Sequence, residues 1–197
     1  MRVAIVGGTG DFGLALARRL VEAGDEVVIG SRDAARAGEK AAEAGAAGGA
    51  ANEDAVCGVD LVVLATNASA ARATAAELRA VLASPLLSVA SEIPPRRAGS
   101  LAEEIAALVD VPLVAGLHSL AAGKLAQGRP DEDAFVCGDN PEAKALALEL
   151  AAKVVAGRAL DAGPLASARA LEGLTAVIVN LNKRYKGHAG VHVTGLP

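Results

Sequence analysis

Short apolar runs alternate with Ala-rich, helix-prone stretches along most of this chain. The apolar runs predict buried strands at residues 3–6, 25–30, 59–65, 86–90, 112–117, 134–137 and 159–161. The stretches between and after them predict helices at residues 14–23, 34–51, 52–58, 69–82, 100–109, 121–126, 140–155 and 166–183. This alternation is typical of a parallel sheet with crossover helices, so an α/β, doubly wound and mostly parallel architecture is predicted.

Two of the predicted helices carry clear start signals. Ser100 and Glu103 have the spacing of a capping box, in which each residue's side chain bonds the backbone of the other. Asn140 followed by Pro141 is typical of an N-cap and a first helical position. These two signals fix where the predicted helices at 100–109 and 140–155 begin.

The C-terminal end predicts a small helical extension on the main α/β unit. Apolar residues recur at a helical period in its helix, at Leu171, Leu174, Ile178 and Leu181. Residues 185–197 contain Gly and His and predict an irregular tail or a final strand. Two parts are therefore expected: residues 1–163 as the main domain with its cleft, and residues 164–197 as a helix and tail packed on it.

The most informative motif is Gly8-x-Gly10-x-x-Gly13, which follows the first strand and opens the first helix. In that context the motif indicates a Rossmann dinucleotide site. Gly8 would permit the tight turn, Gly10 the approach of backbone to a pyrophosphate, and Gly13 close packing of helix on strand. Free N–H groups at the helix start and the helix dipole would hold the phosphates.

The end of the second strand favours NADP(H) over NAD(H). An NAD-specific domain usually ends this strand with Asp or Glu, which holds the ribose hydroxyls. Here the strand ends in Ser31 and Arg32, with Arg36 one helical turn further on. A hydroxyl and a guanidinium suit a 2′-phosphate. Alternatively, both arginines are solvated surface charges, or Asp33 pairs with Arg32.

Ligands of open parallel sheets bind beyond the carboxyl ends of the strands, where the strand order reverses. The nicotinamide is therefore expected over the strand tips at Thr66 and Ser91. The predicted cofactor-binding residues are Gly8, Thr9, Gly10, Asp11, Phe12, Gly13, Ser31, Arg32, Arg36, Thr66, Asn67 and Ser91.

Acid–base chemistry has one leading candidate, His118, which ends a strand at the predicted cleft. It could bond a substrate or move a proton, but it could equally satisfy a backbone group. Glu92 is also possible, although a surface role is commoner. The run 131–133 is expected to be a solvated acidic loop. Several cations either are solvated or rim a site for an anionic substrate, namely Arg96, Arg97, Lys124, Arg129, Lys183, Arg184 and Lys186.

Composition and residue spacing argue against several other functions. Aromatic residues make up 2% of the chain and the net charge is -4, which argues against nucleic-acid binding. Cys57 and Cys137 have no metal or redox spacing and are expected to be small buried hydrophobes. His188 and His192 lack a third ligand, so no metal site is predicted. No signal peptide or membrane span is recognised, so a cytoplasmic protein is expected.

Beyond single motifs, an ordered set of segments resembles the NADPH-dependent F420 reductase family, also called F420-dependent NADP oxidoreductases. The matching segments run along nearly the whole chain, at residues 7–13, 30–32, 136–139, 160–165 and 190–196. The glycine motif alone is shared by many Rossmann proteins, whereas the ordered set is far more specific.

The resemblance implies hydride exchange between NADP(H) and the deazaflavin coenzyme F420, in a protein that is often a homodimer. It implies that Thr9, Ser31, Arg32 and Arg36 hold the 2′-phosphate end. Because both rings carry hydride, catalysis would rest on proximity and alignment. The chain departs from the family after Thr66 and after His118, at the second-substrate pocket. Two alternatives stay open: reduction of a small imine or keto substrate, and a non-catalytic NADPH sensor.

Overall fold

The structure is a computed structural model that describes residues 1–93 and 99–196. Within these residues eight strands form one sheet: β1 (Arg2–Val6), β2 (Glu26–Ser31), β3 (Gly48–Ala51), β4 (Leu61–Leu64), β5 (Leu86–Ser88), β6 (Leu113–Gly116), β7 (Ala134–Gly138) and β8 (Ala159–Asp161). The helices are α1 (Asp11–Glu22), α2 (Ala34–Ala44), α3 (Asn52–Ala55), α4 (Ala68–Leu78), α5 (Leu101–Ala106), α6 (Ala122–Gln127), α7 (Pro141–Val154) and α8 (Ala168–Tyr185). A 3-10 turn, Leu165–Ser167, precedes α8.

The strand order is β3-β2-β1-β4-β5-β6-β7-β8, and neighbours are parallel except for the antiparallel pair β6 and β7. The order reverses between β1 and β4, because the chain first builds outward through β2 and β3 and then crosses to the other side. This confirms the doubly wound, mostly parallel fold with a C-terminal helix. The reversal places the crevice at the carboxyl ends of β1 and β4.

Two apolar layers cover the two faces of the sheet. Along β1, side chains alternate between them, so that Val3 and Ile5 join one layer while Ala4 and Val6 join the other. The first layer includes Leu16 of α1 and other residues of α1, α2 and α7. The second includes residues of α4, α5 and α8. Burial on both faces explains why the strands are continuous apolar runs.

Strand β3 is a correction to the predicted helix 34–51. Helix α2 ends at Gly45, which adopts a left-handed conformation (φ 70°). The next residues pair with β2, with Val28 opposite Gly48. A side chain at Gly49 would collide with the backbone of Ala37, so the absence of one lets α2 lie directly on the strand. Small residues hide this strand from an apolar-run pattern.

The helix start signals are confirmed. The Ser100 side chain accepts from the Glu103 N–H and the Glu103 carboxylate accepts from the Ser100 N–H. Asn140 accepts from the Ala143 N–H.

One expectation about burial is wrong. Cys137 is buried as expected, but Cys57 is exposed, because it lies in the turn that follows α3, where its thiol donates to the Glu53 carbonyl. Leu181 of α8 is 40% exposed, whereas Leu171 is buried. The tail after α8 has no regular structure through residue 196.

The acidic run 131–133 is not a solvated loop. Glu132 and Asp133 are buried, and their carboxylates pair with Lys124 and Arg158 respectively. Only the first residue of the run, Asp131, is exposed. Opposite charges from outside the run therefore compensate the buried ones.

No helix in the described part of the chain combines the length and the apolar character needed to cross a membrane.

Candidate functional site

The loop between β1 and α1 forms a tight turn at the point where the strand order reverses. The Gly7 N–H donates to the Gly30 carbonyl at 3.1 Å, and the Gly10 N–H donates back to the Gly7 carbonyl at 3.1 Å. Gly7 has a φ of 81°, in the left-handed region that glycine tolerates. The glycine that the turn requires is therefore Gly7, which directly precedes the Gly8-x-Gly10-x-x-Gly13 motif, and not Gly8 as predicted.

The three motif glycines serve different needs. A side chain at Gly13 would lie 2.7 Å from the Gly8 Cα, so this glycine lets α1 approach the loop, as expected. A side chain at Gly8 would lie 2.8 Å from the Ile5 carbonyl oxygen. A side chain at Gly10 would meet only the Gly7 carbonyl, at 3.5 Å, and otherwise open space. Only the Gly10 position is thus cleared for a ligand rather than for protein.

A cavity of about 300 Å³ extends from this loop to the tip of β2. The predicted residues that line it are Thr9, Gly10, Ser31, Arg32, Arg36, Thr66 and Asn67. Helix geometry leaves the first N–H groups of α1 without intrahelical partners, and Gly10, its N-cap, supplies no side chain to satisfy them. The cavity thus meets the positive end of a helix dipole. We call this cavity the nucleotide cleft.

At the end of β2, the Asp33 carboxylate is hydrogen-bonded, whereas the side chains of Arg32 and Arg36 are exposed. The Asp33 carboxylate caps α2 by accepting from the Arg36 N–H at 3.1 Å, and its own N–H donates to the Ser31 hydroxyl. The alternative pairing of Asp33 with Arg32 is therefore not found. Within residues 1–93 and 99–196, the guanidinium groups of Arg32 and Arg36 form no ion pair, and both side chains are exposed.

Two oxygens at this cleft are buried without a hydrogen-bond partner in the described part of the chain. They are the Asn52 Oδ1 and the Thr66 Oγ1. Buried polar atoms are normally satisfied, so an orphaned pair beside a cavity marks places where a ligand group can bond. Asn52 was missed from the sequence because it follows β3, the strand hidden by its small residues. Its position beyond a strand tip is the signal that a correct strand assignment would have supplied.

A second cavity of about 240 Å³ adjoins the first and shares Ala65, Thr66 and Asn67 with it. Its lining brings together Phe12, Ser91, His118 and Thr175. We call it the second cleft. The structure thus places Phe12 and Ser91 here rather than at the nucleotide cleft. The two cavities meet over the tip of β4, where the nicotinamide was expected.

His118 is 5% exposed and lines the second cleft. Neither ring nitrogen has a hydrogen-bond partner among the residues that the structure describes. Burial lowers the pKa of His118 to about 4, which the nearby Ala90 backbone partly opposes. The ring is therefore neutral at neutral pH, with one N–H to donate and one nitrogen to accept.

The backbone before His118 is strained. Leu117 has a φ of 62°, a conformation that L-residues other than Gly rarely adopt. Such a residue costs about 1–3 kcal/mol and persists only where its surroundings hold it. Here the Leu117 N–H donates to the Phe135 carbonyl and the Leu117 carbonyl accepts from the Leu120 N–H. The ring's position is therefore set by a conformation that the surrounding fold enforces.

Thr175 of α8 contributes to the second cleft and was missed from the sequence. Its hydroxyl donates to the His118 carbonyl at 2.9 Å and lies 3.0 Å from the Ser91 hydroxyl. Thr175 shares a helix face with Leu171 and Ile178, which are buried. A polar residue on an otherwise apolar helical face was the available signal.

Helix α8 is held in place by Glu172, three residues before Thr175. Glu172 is 4% exposed, and its two carboxylate oxygens accept from the N–H groups of Leu101 and Ala102, each at 3.1 Å. Burial raises the pKa of this carboxyl, while the two N–H donors oppose the rise. A side chain of α8 thus caps the N-terminus of α5, which positions Thr175 over the cleft.

Two cations of the predicted anion-binding rim have structural partners. Arg129 donates to the carbonyls of Ala152 and Val155 at the end of α7, and Lys124 pairs with buried Glu132, so neither is free to bind a ligand. The exposed cations of the α8 end remain, at Lys183, Arg184 and Lys186. Arg96 and Arg97 lie outside the described residues.

The remaining candidates have structural contacts. Glu92 pairs with Arg72, which also pairs with Glu104 of α5. His192 bonds the Asp131 carbonyl at 2.9 Å. Among residues 1–93 and 99–196, no group of three or more His, Cys, Asp or Glu side chains lies close enough together to hold a metal ion.

Comparison with known proteins places this site in context. The family described as NADP oxidoreductase, coenzyme F420-dependent, matches residues 2–92. An F420-dependent NADP reductase of Methanothermobacter thermautotrophicus is 35% identical over 224 aligned residues, which span all of this chain and 96% of that protein. An F420-dependent NADP reductase of Methanocaldococcus jannaschii is 31% identical and is covered to 99%.

A crystal structure from Arthrobacter sp. FB24, named for the same reductase activity, has the same fold. It superimposes with a TM-score of 0.83 at 25% identity, and the match covers 99% of this chain and 100% of that one.

Proposed function

Because this chain belongs to the family of F420-dependent NADP oxidoreductases, we propose that it transfers a hydride between NADP(H) and coenzyme F420. One observation supports this most directly: the nucleotide cleft and the second cleft share Thr66 and Asn67, at the point where the strand order of the sheet reverses. Two flat carriers bound in adjoining clefts can face each other across that shared edge. Proximity and alignment are what a direct hydride exchange requires.

The nucleotide cleft suits NADP(H). The free N–H groups at the start of α1 would hold the pyrophosphate, with Gly10 cleared for its approach. Thr9, Ser31, Arg32 and Arg36 would hold the 2′-phosphate. Support for this comes from the two unpaired guanidinium groups and from the engagement of Asp33 in the α2 cap, which keeps its charge directed at backbone.

The second cleft suits a ring with both donors and acceptors. The unpartnered nitrogens of His118 would bond the polar edge of F420, with Ser91 and Thr175 beside them. A neutral imidazole orients a ring without adding charge. Reduction of a small imine or keto substrate, in contrast, usually needs a proton donor in the pocket. A His with its pKa lowered to about 4 is a poor cationic donor at neutral pH, which disfavours that alternative.

The exposed face of α8 would join two copies of this chain. Val177, Leu181 and Tyr185 are 53%, 40% and 71% exposed and recur at every fourth position, which makes one apolar stripe. We extend the proposal to a cytoplasmic homodimer with this stripe in its interface. Sedimentation of the purified protein tests it, and a monomer at micromolar concentration would contradict it.

The test of the activity is an absorbance assay. Protein, NADPH and oxidised F420 are mixed, and the loss of the deazaflavin band is followed with time. We expect turnover that requires both NADPH and protein, and the reverse reaction with reduced F420 and NADP. A persistent band with tight NADPH binding would favour the sensor alternative and reject the proposal.

A further inference from the structure

An ion pair between a buried Asp133 and a partly exposed Arg158 lies at the start of β7. Asp133 has no exposed surface, and its carboxylate accepts four hydrogen bonds. Three come from Arg158: from Nη2 at 2.7 Å, from Nε at 3.2 Å and from the backbone N–H at 3.0 Å. The fourth comes from the Val193 N–H at 2.8 Å. The Arg158 guanidinium and these donors hold the pKa of the Asp133 carboxyl well below its usual range, so it stays ionised.

The C-terminal tail is tied to this ion pair by its backbone. The Asp133 N–H donates to the Val191 carbonyl at 2.8 Å, and Arg158 also donates to the Val193 carbonyl. Directly before Val191, Gly190 lies so close to Glu132 that a side chain there would overlap the Glu132 carboxylate. We call Asp133, Arg158 and residues 190–193 the tail clasp.

The tail clasp reaches the second cleft through one residue. The Ser119 hydroxyl donates to the Asp133 carbonyl at 3.3 Å, and Ser119 is 2% exposed. Ser119 directly follows His118, which itself follows the strained Leu117. The loop is thus held from two sides: Thr175 bonds the His118 carbonyl, and the tail clasp bonds the next side chain.

We propose that Asp133 and Arg158 are positioning residues for the second substrate, which hold His118 in the cleft through Ser119 with the C-terminal tail locked across them. This inference rests on the proposed function for its kinetic readout. Ion pairs that bury one partner contribute little net stability because the desolvation of that partner offsets their attraction. Such pairs hold their segments in one geometry. The strained loop needs this support to keep the His118 ring at the position from which it can orient the second substrate.

The test compares Arg158→Gln with two other variants. Arg129→Gln is the matched control, because Arg129 also ties this region together but bonds only the carbonyls of α7 and the residue after it. Val193→Pro removes the single tail donor and keeps the ion pair, so it remains informative if Arg158→Gln fails to fold. Each protein is measured for KM with F420, KM with NADPH, and hydrogen exchange over residues 117–121.

We expect Arg158→Gln and Val193→Pro to raise the KM for F420 by about tenfold or more, because small misplacements of an orienting group are costly. The KM for NADPH should change less than twofold, and residues 117–121 should exchange faster. Arg129→Gln should show neither effect. Equal loss for both substrates, or faster exchange confined to residues 188–196 with unchanged kinetics, would overturn the proposal. If wild type does not turn over F420, the proposed function fails, while the exchange data still decide the link to the loop.

Discussion

The nucleotide cleft and the second cleft adjoin at Thr66, yet they are built in different ways. Every residue that lines the nucleotide cleft lies between Gly7 and Thr74, close to the first four strands. The second cleft draws on Phe12, on the loop at His118 and on Thr175 of the last helix. One site is made from the first 74 residues of the chain, and the other from segments spread from Phe12 to Thr175.

The clefts also differ in how they present polar groups. The nucleotide cleft offers exposed cations and backbone N–H groups at a helix start. The second cleft offers a nearly buried imidazole, held by a strained loop and by bonds from distant segments. The first arrangement recognises charge and tolerates small motions. The second recognises shape and depends on its supports, so the two should respond differently to substitution and to pH.

The largest expected effect concerns the buried imidazole of His118. Its pKa of about 4 in the folded protein lies below the ordinary value of 6.5, so the unfolded chain binds more protons between these pH values. Stability is therefore complete above pH 6.5 and falls as the pH drops towards 4, by about 3 kcal/mol at the lower limit. Urea unfolding at several pH values measures this loss.

His118→Gln is the reference for that measurement, because it keeps a polar side chain and removes the titration. The unfolding free energy of the wild type minus that of the variant should stay constant above pH 6.5 and fall by about 3 kcal/mol towards pH 4. A constant difference would mean that the imidazole is not buried as described, and the contrast between the clefts would be lost.

The next effect tests the exposed cations of the nucleotide cleft. Arg32→Ala should weaken NADPH binding by about 1.5–3 kcal/mol, the range for a hydrogen bond to a charged group, and should leave NADH almost unchanged. Titration calorimetry with both cofactors measures the difference. Arg79→Ala is a suitable control, since Arg79 pairs with Asp110 on the surface and does not line either cleft. Equal weakening of both cofactors would refute the 2′-phosphate assignment.

The smallest effect separates the clefts by a matched pair of threonines. Thr175→Val removes the hydroxyl that bonds His118, and should weaken F420 binding by about 1 kcal/mol, or roughly fivefold. Thr74→Val makes the same change in the nucleotide cleft and should leave the KM for F420 unaltered. Steady-state kinetics with each substrate varied in turn give both values. A change in the KM for F420 in Thr74→Val would contradict the prediction that the two clefts bind their ligands separately.

The contrast also explains what could be predicted from the sequence. The glycine loop and the β2 tip were predictable because a short run of residues encodes each of them, and the fold class followed from alternating patterns. Even there, the sequence predicts that Gly8 permits the tight turn, whereas the residue in the left-handed conformation is Gly7. Strand β3 was missed because Gly48 and its neighbours have very small side chains or none, and pairing with β2 decides their conformation.

In the second cleft, the sequence predicted Phe12 and the strand-tip residues Thr66, Asn67, Ser91 and His118, but not Thr175. Thr175 is 57 residues from His118, and no local pattern joins them. The same reason explains the error at residues 131–133, which look like a solvated acidic loop until Arg158 and Lys124 reach them. Burial of a charge is decided by its partner, and that partner lies elsewhere in the chain.

The contribution of α8 to the second cleft has a consequence during protein synthesis. The residues that line the nucleotide cleft are all translated before the second half of the chain. Thr175 and the tail residue that bonds Asp133, Val193, are translated only afterwards. Since a chain is made from its N-terminal side, every residue of the half of the site for the phosphorylated carrier is available before α8, and the half for its partner is complete only once α8 has been made.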